Sequence, residues 1–318
     1  MTKHLFNYCA IDWYENELKE NNLDLHEMVK EMGVDGIEQF IYSMDPVSNK
    51  YKDITVGVHL NYWPYWMDFW LKKAKHLKQQ FRNIRERNKY FKDAMSCDEW
   101  LSVIRRNIGA ALAQSPEYLV WHVAEANNEE AFTFEFNYSD REVLTAAADV
   151  FNAVCDEIPA HVPVLFENLW WPGLRLTDVR NVKYFFERLH HKNVGIMLDT
   201  GHLMSTNVRL KNEAEGAEYV LKVYEKLGEC KALVRGVHMS CSLSGAYQRS
   251  LSHQVPEKLD METIWKHIGN IDQHKPFTTE AAKRILETIQ PEYVVHEVGY
   301  DSMKDLCEQL PIQLKACK

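Results

Sequence analysis

The sequence contains no CxxC pair and no regular cysteine spacing; its seven cysteines, at positions 9, 97, 155, 230, 241, 307 and 317, are scattered and odd in number. With no signal-peptide pattern, such a set points to reduced thiols in a cytoplasm rather than to a disulfide framework. Long hydrophobic runs are missing too: stretches such as YLVWHVA, residues 118–124, are far too short to cross a membrane. Positive charge is in deficit, and a net charge of -9 disfavours nucleic acid as a partner, leaving room only for a local basic surface. No repeat, low-complexity tract or Pro/Gly/Ser linker divides the 318 residues, which implies one domain over 1–318.

What is present is a set of eight short apolar runs: LFNYCAI (5–11), GIEQFI (36–41), TVGVHL (55–60), YLVWHVA (118–124), VPVLFEN (162–168), VGIMLDT (194–200), VRGVHMS (234–240) and YVVHEV (293–298). Between them lie segments with helical period and caps, at 24–33, 139–158, 177–191, 212–228 and 278–289. Strand-like runs that are nearly continuous in apolar residues and alternate with helices describe parallel strands buried on both faces. The economical architecture is a single (β/α)₈ TIM barrel, with an aromatic and basic insertion after the third strand over approximately 61–100.

The ends of these runs are chemically unusual. The third carries His59, the fourth His122, the fifth Glu167, the sixth Asp199, the seventh His238 and the eighth Glu297. With 14 His and 46 Asp plus Glu in 318 residues, six successive strand ends would carry one by chance at odds of about one in a thousand. A carboxylate at the edge of a core costs several kcal/mol unless paired. His202 follows Asp199 by three, and the stretch IDQHKPF supplies Asp272 and His274. Nine imidazole and carboxylate donors without a cysteine suit zinc first, or manganese or iron, and exceed what one cation can take. Glu38, His253 and His296 read as ordinary hydrogen-bonded residues.

In this order and spacing the donors resemble the xylose isomerase-like TIM-barrel superfamily, and within it the endonuclease IV branch, on GIMLDTGHL and the Asp-x-His of DQH above all. The resemblance implies three metal sites: His59, His122 and Glu167; Glu167, Asp199, His238 and Glu297; and His202, Asp272 and His274. The sugar isomerases and epimerases of the superfamily match only the four-residue set around one ion. The chain departs from the endonucleases after Glu167, where it reads NLWWPG, and after His274, where it reads KPF, and no DNA-contacting residues map onto it.

Two further features bear on substrate. From Lys72 to Lys92 nine basic residues face Glu86 alone, a solvated helix face or an arm that receives an anion. Trp63, Trp66, Trp170 and Trp171 could stack on sugar faces near the barrel mouth or simply pack. The first expectation is hydrolysis of a phosphoester by metal-activated water. The alternatives are a one-metal sugar or sugar-phosphate isomerase, epimerase or related lyase with Glu167 and Glu297 as acid and base, a multinuclear non-heme iron oxygenase, or a non-enzymatic binding protein. The expected partner is a small sugar-like or phosphorylated molecule, and the sequence is silent on oligomeric state.

Overall fold

The computed structural model describes residues 2–318. Eight parallel strands close into a barrel in chain order: β1 Lys3–Tyr8, β2 Gly36–Ile41, β3 Thr55–Leu60, β4 Tyr118–His122, β5 Val164–Glu167, β6 Val194–Asp199, β7 Val234–Met239 and β8 Tyr293–His296. Seven of the eight expected apolar runs contain one of them whole, and the remaining run overlaps its strand. The first strand lies earlier than its run, because the ladder takes in Lys3 and His4 opposite Tyr293 and Val294 and releases the chain before Cys9.

The helices begin where local side chains satisfy their free N–H groups. Asp24 caps Leu25–Met32, Asp178 caps Val179–Phe186, Asn212 caps Glu213–Lys226, and Ser139 forms a capping box with Glu142. Gly33 ends the first of these at φ 64°, the left-handed conformation that a residue without a Cβ adopts freely.

The core has two layers. Leu5, Val56, Tyr118, Val120, Leu165, Met197, Tyr293 and Val295 fill the barrel interior. A larger layer lies between strands and helices, where Phe166 meets Phe151 and Phe185 edge-on at 5.0 and 4.9 Å. One close approach inside the barrel reaches as far as its buried polar groups. Gly57 on β3 pairs with Tyr118 on β4, and any Cβ at Gly57 would overlap the Tyr118 phenol. The missing side chain lets that phenol cross the interior and donate to Glu38 Oε2 at 2.7 Å.

Between β3 and the long helix Cys97–Leu112 the chain forms three short helices, Met67–Trp70, Ala74–Gln80 and Ile84–Tyr90. Their aromatic residues turn inward: Phe69, Phe81, Phe91 and Trp100 pack with Trp63 and Trp66. Among the described residues no helix is long and apolar enough to cross a membrane.

Phe185 is fully buried in the layer between strands and helices. Phe185→Ala should destabilise the fold by about 3–5 kcal/mol, read as a lowered urea midpoint with unchanged slope; a loss below about 1 kcal/mol would mean that the helix layer is not packed as described.

Candidate metal centre

Barrel register alone brings the strand-end donors together. His122 and Glu167 are partners across β4 and β5, and Asp199 and His238 across β6 and β7. His59 stands one residue before the end of β3, and Glu297 directly succeeds β8. The nine donors fall into the three sets His59, His122, Glu167; Glu167, Asp199, His238, Glu297; and His202, Asp272, His274, each with ligand atoms within 4.8 Å of one another. Glu167 belongs to two of them.

The contacts inside each set have the spacing of ligands around an ion. Ligand atoms of a tetrahedral zinc stand about 3.3 Å apart, given the usual metal–ligand lengths. His59 Nε2 lies 3.1 Å from both His122 Nε2 and Glu167 Oε2. His202 Nε2 and His274 Nε2 lie 3.1 and 2.7 Å from Asp272 Oδ2.

The tautomers are set by the other ring nitrogens. Nδ1 of His59, His202 and His274 faces the backbone carbonyls of Leu60, Asn168 and Glu297, each at 2.9 Å. A proton donated there leaves Nε2 with its lone pair aimed into the cluster, the arrangement that metal-bound histidines use. His238 is reversed: Nε2 faces Glu38 Oε2 at 3.3 Å, and Nδ1 stands 3.3 Å from oxygens of Glu167 and of Glu297 without a hydrogen bond to either. Glu38 is thus the outer carboxylate of His238, itself held by Tyr118. Glu38 is therefore not the ordinary residue that its sequence context implies; a carboxylate in the middle of GIEQFI was the available signal.

The placement of His202 three residues after Asp199 also has a cause. Asp199 caps the short helix Thr200–Ser205, one oxygen accepting from His202 N at 2.5 Å. Its other oxygen, Oδ2, is buried without a partner, as are Glu167 Oε1 and His238 Nδ1. Asn168 braces this corner by exchanging two hydrogen bonds with the Asp199 backbone, at 2.9 and 3.0 Å.

Buried lone pairs that converge without hydrogen-bond donors are the chemistry a cation satisfies, and the residues present fit divalent ions with mixed nitrogen and oxygen ligation. Burial pushes His122 down to about 4, keeping it neutral. Burial, with Glu167 nearby, pushes Glu297 up to about 7. Burial would lower His274, but the Asp272 carboxylate outweighs it and lifts the ring to about 10. Protons therefore hold places that a cation would take.

The cluster opens toward a cavity of about 820 Å³ whose wall includes Phe40, Tyr42, Asp272, His274, Glu297 and Tyr300. Trp63, Trp66, Trp170 and Trp171, for which the sequence allows either stacking on substrate or packing, are buried, none more than 8 % exposed. Trp63 and Trp66 direct their indole N–H groups to the carbonyls of Tyr90 and Ala124, and Trp171 packs on Trp170, whose ring stands 5.2 Å from that of His202. Large aromatic faces were used for burial, which their area favours. His296 stacks on His4 and takes no part in the cluster.

Glu38→Gln keeps the shape but weakens the grip on the His238 N–H. It should lower metal affinity about 10- to 100-fold, measured by competition with a chromophoric chelator; unchanged affinity would remove Glu38 from the centre.

The sequence model of the xylose isomerase-like TIM barrel family matches residues 85–284. No curated protein sequence matches the chain. Among solved structures, a D-tagatose 3-epimerase-like protein superposes with a TM-score of 0.54 at 14% identity, covering 99% of this chain and 97% of that one. A D-allulose 3-epimerase from Methylomonas sp., in complex with D-allulose, superposes with a TM-score of 0.52 at 10% identity, covering 99% and 96%. At such identities these likenesses speak for the fold, and the family match over most of the chain speaks for descent: the chain belongs to the xylose isomerase-like TIM barrel family.

Proposed function

We propose that the protein is a metal-dependent isomerase or epimerase of a sugar-like, polyhydroxylated substrate. The observation that carries this reading is that Glu167 and Glu297 each bring an oxygen to 3.3 Å from His238 Nδ1 in one candidate cation site, beside a cavity that a small polyol can enter. The epimerase neighbours, one in complex with D-allulose, agree with it.

A divalent cation held by Glu167, Asp199, His238 and Glu297 would supply Lewis acidity toward neighbouring substrate oxygens. The carboxylates do the proton work. With its proton affinity pushed up to about 7, Glu297 is suited to accept a proton from the carbon beside a carbonyl and to return it near neutral pH. Glu167, in the same four-residue set, is the second carboxylate available to deliver a proton. Glu38 and Tyr118 keep the His238 ring oriented.

A second reading keeps the expectation of phosphoester hydrolysis. The five donors outside the four-residue set, His59, His122, His202, Asp272 and His274, favour it, because they offer two further candidate cation sites, one of them sharing Glu167.

Purified protein, assayed for bound elements and then incubated with ketohexoses in heavy water, separates the two. Isomerase chemistry places deuterium on the substrate carbon; about three ions per chain, with no deuterium and with phosphoester cleavage, would overturn it. Glu167→Gln should lower turnover at least about 10²–10⁴-fold with the fold retained, and full turnover would remove Glu167 from its role.

Metal binding should also release protons, chiefly from His274 and Glu297. Because these protons compete with the ion, apparent affinity should fall as pH drops through 7 and rise above it. Calorimetry in buffers of different ionisation enthalpy reads the released protons directly, and none released at pH 7 would contradict the assignment of both ligands.

A further inference from the structure

A second cavity, of about 580 Å³, lies beside the first and is lined by Tyr42, Ser43, Met44, Asp45, Arg85, Asn88, Lys89, Lys92, Asp93 and Arg106. Tyr42 lines both. The two cavities are linked to the metal centre by rings: Phe40 lies 4.3 Å from the His59 ring, and Tyr42 stacks on Phe40 at 5.8 Å and 13°. This series runs from a candidate ligand to a positively charged recess.

The charge there is not neutralised internally. Of the two carboxylates on its wall, Asp45 is already taken by Arg106 at 2.6 Å. Arg85, Lys89 and Lys92 are exposed and, among the described residues, no side-chain ion pair involves them. Lys92 and Asp93 stand side by side in left-handed backbone, at φ 54° and 66°, a conformation that L-residues adopt at some steric cost and that recurs where a loop is shaped around a ligand. A guanidinium and two ammonium groups converging on a recess suit the doubly charged oxygens of a phosphate better than a neutral hydroxyl.

We propose that the substrate is a phosphate monoester, its reacting end at the four-donor cluster, its middle against Phe40 and Tyr42, and its phosphate in the recess of Arg85, Lys89 and Lys92. The reacting end rests on the isomerase reading of the metal centre; the phosphate site does not. It also gives part of the Lys72 to Lys92 segment an occupant.

The test uses the full-length, metal-loaded protein with phenyl phosphate and inorganic phosphate as probes in calorimetry. Phenyl phosphate should bind, and the triple variant R85Q/K89Q/K92Q, with metal content and thermal unfolding checked, should bind it at least tenfold more weakly. Tyr42→Ala should weaken phenyl phosphate several-fold and leave inorganic phosphate unchanged. Absence of binding to the wild type, or equal affinity in the triple variant because phosphate sits on the metals, would overturn the proposal. So would an equal loss of both probes in Tyr42→Ala. The readout is affinity, so a failure of the isomerase reading in heavy water leaves this result standing, and the reverse holds as well.

Discussion

Burying carboxylates and imidazoles at one end of a barrel is the constraint on which the rest of this structure depends. Charges removed from water are costly unless each lone pair and proton finds a partner. Here Glu167, Asp199, Asp272 and Glu297 meet five histidines, and several of their atoms have no hydrogen-bond partner. Divalent cations would satisfy those atoms. The surrounding polar groups, from the Leu60 and Asn168 carbonyls to Glu38, set tautomers and orientations rather than neutralising charge.

The three candidate ion sites do not stand on equal foundations. His59, His122, Glu167, Asp199 and His238 are strand residues, fixed by ladder register. Asp272 and His274 lie past the end of the helix Met261–Ile271, and His274 takes a left-handed backbone at φ 45°. His202 is tied to them through a single turn of helix after Asp199. Two sites therefore inherit the rigidity of the barrel, while the third depends on a loop and its contact with Glu297 through the His274 ring.

Much of this was legible in the sequence because it is written in local patterns. Apolar runs without alternation announce strands buried on both faces, and a polar residue at the end of such a run stands out, as His122 and Glu167 do. What stayed hidden depends on neighbours that chain order does not supply. Glu38 on β2 meets His238 on β7 across the barrel interior, a contact between strands that are not adjacent, so nothing near either residue in the sequence predicts it. The tryptophans were left with two readings for a related reason: composition shows that Trp63 and Trp66 are large and apolar, but only the fold shows how far they are buried. The basic segment divides similarly, with Phe81 and Phe91 inward and Arg85, Lys89 and Lys92 outward.

Tyr118 is at once a filler of the barrel's inner layer and the residue that steadies Glu38, and the room it needs exists because position 57 is a glycine. Structural support and chemistry are therefore not separable in this barrel. A drift in the inner layer that left every donor untouched, such as a methyl group gained at Gly57, would be felt at His238. The choice of interior residues open to this chain is thus narrower than packing alone would impose.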